Sequence, residues 1–174
     1  PSRADDEQTA EVWPASFAQQ RLWVLAQMDR AVDAYVIVRA LRLQGQLDPD
    51  GVRAALDRIA ARHAALRTRF AEDSGTLQQI VDPAPPLPFD TPDLSAAHDP
   101  LVACRALIAA ETGTPFDLTR APLWRVRLCR LDDGDWVLVL VIHHIVADAW
   151  SVELLQQGLA ALYQAHATGG RAQL

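Results

Sequence analysis

Residues 133–151 read DGDWVLVLVIHHIVADAWS and contain the clearest structural signal in the chain. Asp133-Gly134 is a dipeptide typical of a tight hairpin turn, and it separates the apolar run Trp136–Ile142 from an earlier one, Leu123–Leu131. Because Trp136–Ile142 is apolar at every position, we predict a central strand that is covered on both faces. The pair His143-His144 follows this strand directly, so the end of the strand is the first place to search for chemistry.

Helical and strand patterns alternate through the rest of the chain. The predicted helices are Phe17–Met28 with Ser16 as N-cap, a segment with Val52, Leu56, Ile59 and His63 on one stripe, Leu101–Thr112, and about Trp150–His166. The other predicted strands are Tyr35–Leu43, Leu66–Phe70 and Leu77–Val81. A turn at Asp73-Ser74-Gly75 joins the last two as a hairpin, and the proline-rich segment Asp82–Pro92 predicts an extended connection. This order predicts an α+β fold, an α/β sandwich in which helices flank a mostly antiparallel sheet.

The composition is that of a globular protein with an acidic excess. Half of the 174 residues are hydrophobic and the formal net charge is −6 without a basic stripe, so we expect no nucleic-acid partner. The longest strongly apolar run is too short to span a bilayer and the chain starts with a polar segment, so we expect no membrane association. The two cysteines lack metal-ligand spacing and suit a reducing compartment, which predicts a cytoplasmic protein without a metal site. Residues 1–12 are interpreted as a flexible lead-in and residues 13–174 as the folded unit.

Two histidines and an aspartate offer acid–base chemistry at the start of a predicted helix. Adjacent strand residues point to opposite faces, so only one of His143 and His144 can face a given cleft. Asp148 lies at the helix N-terminus, where free backbone N–H groups stabilise a carboxylate. These residues alone leave three interpretations open: a histidine base or hydrogen-bonding group, a structural pair, and a metal site. Diverging strand histidines and the lack of a supporting Cys or Glu cluster disfavour the metal site.

Three ordered motifs resemble those of condensation domains from nonribosomal peptide synthetases. They are SFAQQRLWVL at 16–25, similar to the family's SxAQxRLWxL; RHAALRTRF at 62–70, similar to RHxxLRTRF; and HHIVADAWS at 143–151, similar to HHxxxDGWS. The segment Thr114–Leu118, TPFDL, followed by Pro122-Leu123, also matches a common phrase of the family. Three long motifs in the same order make the resemblance specific, whereas HHxxxD alone would be a weak signal.

The resemblance covers residues 13–174 and implies the N-terminal lobe of a two-lobed, chloramphenicol acetyltransferase-like domain, with the C-terminal lobe absent. It implies an acyltransferase-type enzyme that, when complete, forms an amide (peptide) bond between a donor thioester and an acceptor amine, whereas the isolated lobe is inactive. No cofactor is expected to bind directly, because both substrates travel on the 4'-phosphopantetheine of carrier proteins. The implied partners are the donor and acceptor carrier protein domains, the C-terminal lobe and an adjacent adenylation domain. Apolar surface left open by the missing lobe predicts self-association.

The resemblance also assigns roles to individual residues. His144 is implied to face the reaction channel and to contact the acceptor's α-amine, either as a base or as a positioning group, while His143 is its buried supporter. Asp148 is implied to be structural and paired with an arginine of the second motif, Arg67 first and Arg62 second. The physical reason for such a pair is that a buried carboxylate needs a cationic partner, which the fork of arginine fits.

The three residues after Asp148 continue the motif, and we expect Ala149, Trp150 and Ser151 along the substrate channel. Ala149 stands where the family usually has glycine, and its methyl group could narrow the channel or weaken activity. Two other functions stay open: a coenzyme A-dependent acyltransferase of the same superfamily, and a catalytically silent condensation-like module that recruits a partner protein. The motifs at 16–25 and 62–70 favour the condensation enzyme, and Ala149 favours the silent module.

Four further residues are better explained by packing than by chemistry. Trp23 and Trp150 are interpreted as core or lobe-packing aromatics. Cys104 lies among apolar residues on its helix, so we predict a buried thiol and not a nucleophile. His63 falls on the apolar stripe of its helix, which predicts a core histidine.

Overall fold

The computed structural model describes residues 10–28 and 35–170 and has the predicted α+β architecture, with helices packed against two sheets. The strands are β1 Glu11–Pro14, β2 Val36–Gln44, β3 Thr68–Asp73, β4 Thr76–Val81, β5 Phe89–Asp90, β6 Trp124–Asp132 and β7 Asp135–His143. The helices are α1 Phe17–Met28, α2 Pro49–Arg62, α3 Pro100–Thr112 and α4 Ala149–Thr168. Among these described helices, none is both long and apolar enough to cross a bilayer.

The larger sheet has the order β2-β7-β6-β5 and carries the two histidines at the end of β7. Strands β2, β7 and β6 are antiparallel, and the two-residue strand β5 runs parallel to β6. All residues of β7 from Val137 to His143 are buried, so the prediction of a central strand is confirmed. Strand β5 lies within the proline-rich connection Asp82–Pro92, which is extended as predicted but adds this short pairing to the sheet.

Helices cover both faces of the larger sheet because successive residues of β6 and β7 point to alternate sides. One face packs against the apolar stripes of α2 and α4, and the buried residues contributed by these helices are Val52, Ala55, Leu56, Ile59, Val152, Leu155, Leu159 and Leu162. The other face packs against α3 in a smaller cluster that contains Cys104, Cys129, Val137, Val139 and Val141. The buried position predicted for Cys104 is therefore confirmed.

The smaller sheet has the order β1-β4-β3 and is antiparallel. The turn between β3 and β4 places Ser74 and Gly75 at φ angles of 50° and 78°, and this left-handed geometry makes the tight hairpin that the sequence predicts. The last two residues of the predicted lead-in over residues 1–12 belong to strand β1, because Glu11 and Val12 pair with β4. An edge strand of four residues has too short a pattern to be recognised without its partner. Residues 1–9 lie outside the described part of the chain.

The second motif departs from its predicted structure. A 3-10 turn occupies Ala64–Arg67, so β3 begins only at Thr68 and not at Leu66. His63 caps the C-terminus of α2 through its backbone and its side chain is exposed, so the prediction of a core histidine is wrong. Helix α2 ends at Arg62, one residue before His63. The apolar stripe of the helix therefore does not extend to His63, and its side chain lies outside the core.

The two tryptophans interpreted as packing residues differ in their environments. Trp23 is half-buried and packs against the larger core, as predicted. Trp150 lies in the first turn of α4 with 68% of its surface exposed, so it is not a core residue. Its packing against a second lobe stays a prediction.

Candidate active site

The end of β7 separates the two histidines in the way that strand alternation predicts. The backbone N–H of His143 donates to the carbonyl of Leu123, and that of His144 donates to the carbonyl of Tyr35, at 2.9 and 2.7 Å. The residues on either side of β7 thereby fix the direction of each side chain. His143 is 6% exposed, whereas His144 is exposed. The predicted orientation of the pair is confirmed, and the catalytic role of His144 stays a prediction.

His143 holds the turn that leaves the strand. Its Nδ1 accepts a hydrogen bond of 3.1 Å from the backbone N–H of Ile145, and its carbonyl accepts one of 3.1 Å from Val146. Burial, and to a smaller extent the neighbouring His144, lower the pKa of His143 to about 4. The imidazole is therefore neutral at pH 7 with its proton on Nε2, and it acts as a structural acceptor for the loop that carries its neighbour.

His144 lies in an open cleft of about 720 Å³ between α1 and the loop 145–148. The residues of α1 and its N-cap that line this cleft are Ser16, Ala18, Gln19, Arg21, Leu22 and Leu25. The first motif thus forms one wall of the cleft and the third motif forms the opposite wall. The sequence did not single out Arg21 or Tyr35 as cleft residues, although the spacing of Ala18, Leu22 and Leu25 marks the face of α1 to which Arg21 also belongs.

The wall formed by α1 is anchored by a capping box. The backbone N–H of Gln19 donates to the hydroxyl of Ser16 at 3.2 Å, and the backbone N–H of Ser16 donates to the side-chain oxygen of Gln19 at 2.8 Å. This reciprocal pair satisfies two of the N–H groups that a helix start leaves free. Ser16 is therefore the helix cap that the sequence predicts. Its two hydrogen bonds with Gln19 fix the start of α1 beside His144.

The second motif reaches the same loop from the other side. A smaller apolar cleft of about 130 Å³ is lined by His63, Ala65 and Leu66 and by the loop and first turns of α4. Val146 and Ala147 contribute to both clefts, so this loop separates them. All three motifs therefore converge on the loop 145–148 that follows His144.

Asp148 caps α4 and has an environment different from the predicted one. Its Oδ1 accepts hydrogen bonds from the backbone N–H of Ser151 at 2.7 Å and from the Ser151 hydroxyl at 2.6 Å. These two bonds, the hydroxyl first, lower the pKa of Asp148. The side chain is exposed, so the expected burial and the ion pair with Arg67 are both wrong. A solvated carboxylate that already accepts two hydrogen bonds needs no cationic partner.

Arg67 is occupied by backbone carbonyls. Because it lies in the 3-10 turn, its guanidinium reaches the end of α2 and the start of the proline-rich connection. It donates to the carbonyls of Ala60, Asp82 and Pro83 at 3.1, 2.6 and 3.1 Å. Arg67 thus joins α2 to the connection and supports the second motif. The role of Arg62 in supporting the site stays a prediction.

Among the three residues expected along the channel, only Ser151 lines the cleft. Ala149 is the first residue of α4, and it has no positive φ angle that would require glycine. Trp150 is exposed outside the residues that line the cleft. Within residues 10–28 and 35–170, no group of three or more His, Cys, Asp or Glu side chains could hold a metal ion.

We expect Asp148→Ala to lower the melting temperature moderately and to increase hydrogen exchange in the first turn of α4, because the substitution removes a helix cap. Asp99 provides the matched control, since it caps α3 by accepting from the N–H groups of Leu101 and Val102. Asp99→Ala should lower the melting temperature by a similar amount. A much larger loss in Asp148→Ala, such as failure to fold, would show that Asp148 does more than cap α4.

Comparison with known families identifies the family to which the three motifs belong. A family model described as "Condensation domain" matches residues 9–174. The chain belongs to the condensation domain family. This condensation domain chain is 40% identical over 154 residues to cyclosporin synthetase of Tolypocladium inflatum. The aligned residues make up 88% of the chain and 1% of that protein. It is 39% identical over 171 residues to phosphinothricin tripeptide synthetase of Streptomyces viridochromogenes. In this case the aligned residues make up 97% of the chain and 16% of that protein.

Solved condensation domains have the same fold. The starter condensation domain of rhizomide synthetase superposes with a TM-score of 0.89 at 26% identity, over 94% of the chain and 40% of that structure. The first condensation domain of the CDA synthetase superposes with a TM-score of 0.86 at 25% identity, over 94% of the chain and 43% of that structure. The condensation domain chain therefore spans less than half the length of these solved domains.

Proposed function

We propose that this chain is the N-terminal lobe of a condensation domain that forms an amide bond between a carrier-bound donor thioester and a carrier-bound acceptor amine. The observation that carries this proposal is the exposed imidazole of His144, which lies in the cleft between the first and third motifs. Two relatives at 39% identity are named as a nonribosomal peptide synthetase and a tripeptide synthetase. The site residues of the proposal are His144, His143 and Asp148, with Arg67 and Arg62 as structural support.

The proposed reaction is an acyl transfer. The amine nitrogen of the acceptor attacks the carbonyl carbon of the donor thioester, a C–N bond forms, the C–S bond breaks, and the thiol of the donor's 4'-phosphopantetheine leaves. Its sulfur departs as a thiolate and becomes the thiol by taking up the proton that the amine loses. The imidazole of His144 contacts the amine and removes or orients this proton, which is work suited to a histidine near neutral pH. His143 stays neutral and holds the loop, and Asp148 holds the start of α4.

The proposed partners are the donor and acceptor carrier proteins, an adjacent adenylation domain and the C-terminal lobe. Exposed apolar side chains near the cleft support a covering lobe, since Trp150 and Leu154 on α4 are 68% and 48% exposed and Phe17 at the start of α1 is 90% exposed. We place this assembly in the cytoplasm, which fits the two free, buried cysteines.

We expect the chain alone to form no measurable amide product, and we expect activity to appear when the C-terminal part of a complete domain is added as a separate polypeptide. Holding two thioester-bound substrates in line can supply roughly 7–11 kcal/mol of the barrier, and one wall of a channel cannot hold both. The test combines loaded carrier proteins with the chain, with and without its complement, and measures the amide product. Light scattering should show self-association of the chain that the complement reverses. Unaided turnover by a strictly monomeric chain would contradict this prediction.

A coenzyme A thioester as donor is the second candidate function. A variant of the rhizomide starter condensation domain has been solved in complex with C8-CoA, and that structure is 26% identical to this chain. The same assay separates the two functions, because it can be supplied with an acyl-carrier protein or with the matching acyl-CoA. We expect faster turnover with the carrier-bound donor. The silent-module alternative loses its support from Ala149, because this residue occupies an ordinary helical position.

A further inference from the structure

A series of side-chain contacts leads away from the His143 imidazole. The ring of Phe116 meets the His143 imidazole edge to face, with centroids 6.0 Å apart and an interplanar angle of 80°. On the same phenyl ring, the guanidinium carbon of Arg125 lies 4.1 Å from the centroid. Phe116 belongs to the TPFDL segment, which takes no part in the proposed reaction. It packs against both the larger and the smaller hydrophobic cluster.

The cation on Phe116 is held rigidly. Arg125 donates from Nε to the carboxylate of Glu111 at 2.6 Å, and from Nη2 to the carbonyls of Glu111 and Thr114 at 2.5 and 2.6 Å. The other carboxylate oxygen of Glu111 accepts from Arg127 at 2.7 Å. The side chains of Arg125 and Glu111 are only 9% and 13% exposed. These acceptors restrict the guanidinium of Arg125 to its position over the ring of Phe116.

His143 connects the ring of Phe116 to the loop that follows His144. Its Nδ1 accepts from Ile145, so any tilt of the imidazole changes the hydrogen bond that starts the loop 145–148. The only aromatic ring against His143 within the described residues is Phe116. The direction of the His144 side chain depends on the backbone on both of its sides, and one of these is anchored by His143.

We propose that Phe116, fixed by Arg125 and Glu111, is a positioning residue that sets the His143 imidazole and, through it, the loop that presents His144. This inference rests on the proposed function only for the importance of His144. Phe116 touches no substrate in this scheme, and it acts through the hydrogen bond between His143 and Ile145.

The test compares Phe116→Leu with Phe89→Leu in the chain itself. Phe89 is a matched control because it is also half-buried and carries a cation–π contact, with Arg53 at 5.6 Å, but it does not contact His143. The first readout is hydrogen exchange of the Ile145 amide relative to amides at the centre of β7. The second is the ¹⁵N spectrum of the His143 ring, assigned with a His143→Gln variant.

We expect Phe116→Leu to speed exchange of the Ile145 amide by about tenfold without a matching change in β7, and to mix the two tautomers of His143. Phe89→Leu should leave both readouts unchanged, and Phe116→Tyr, which keeps the ring, should restore them. If Phe116→Leu does not fold, Phe116→Met serves as the second variant, because methionine also lacks an aromatic ring. Unchanged Ile145 exchange and an unchanged His143 spectrum in a folded ring-less variant would overturn the proposal. These readouts need no turnover, so their failure is distinct from failure of the proposed reaction.

Discussion

Replacing His144 by alanine should lower the rate of amide formation by about 10²–10⁴ in the chain combined with its complement, which is the usual contribution of a positioned acid–base group. Stability should change by no more than about 0.5 kcal/mol, because His144 is exposed and its imidazole supports no part of the core. The measurement is the initial rate with loaded donor and acceptor carriers, together with a urea unfolding curve of each variant.

His98→Ala is the control for this substitution, because His98 is another exposed histidine and lies outside the cleft that holds His144. It should keep the wild-type rate. A His144→Ala variant with the rate of His98→Ala would show that the exposed imidazole has no part in the reaction. Equal losses in both variants would point to the same conclusion, since they would reflect a general effect of removing a surface histidine.

Replacing Trp124 by alanine should destabilise the chain by about 3–5 kcal/mol, the usual cost of removing a large aromatic side chain from a packed core. Trp124 is fully buried at the start of β6. Its indole N–H also donates to the carbonyl of Leu66 at 3.1 Å, so it ties the larger sheet to the 3-10 turn of the second motif. The substitution would leave both a cavity and a carbonyl without its donor. Chemical unfolding at equilibrium measures the loss.

Trp150→Ala is the matched control for Trp124→Ala, because the same side chain is removed from a position that is 68% exposed. Its free energy of unfolding should stay within about 0.5 kcal/mol of the wild type. Its effect should appear instead in assembly, as weaker binding of the complement. A loss of several kcal/mol in Trp150→Ala, or a negligible loss in Trp124→Ala, would show that the core has been assigned to the wrong residues.

The central part of the fold could be predicted because its signals are local. The apolar run Trp136–Ile142 is long and uninterrupted, so it predicts β7 without knowledge of its neighbours. Asp133-Gly134 predicts the turn before it, where Gly134 has a φ of 70°. The alternation of strand side chains likewise predicts that His143 and His144 diverge, since it depends on backbone geometry alone.

The contacts around the site could not be predicted because they depend on residues that are distant in the sequence. The exposure of Asp148 follows from how α4 begins against the loop, and that arrangement decides between a helix cap and a buried ion pair. The 3-10 turn at Ala64–Arg67 redirects Arg67 toward carbonyls, although its motif also fits a strand. The contact of Phe116 with His143 joins two segments whose local patterns do not reveal each other. The resemblance locates the motifs, and tertiary packing determines what each side chain touches.

The most direct test of the proposed function is the intact mass of the acceptor carrier after one turnover. The chain and its complement would be mixed with a donor carrier loaded with an acyl group and an acceptor carrier loaded with an aminoacyl group. We predict that the acyl mass moves onto the acceptor carrier as an amide, and that this transfer is lost with His144→Ala. An acyl group that stays on the donor, that is released as the free acid, or that is transferred equally well by His144→Ala would contradict the account.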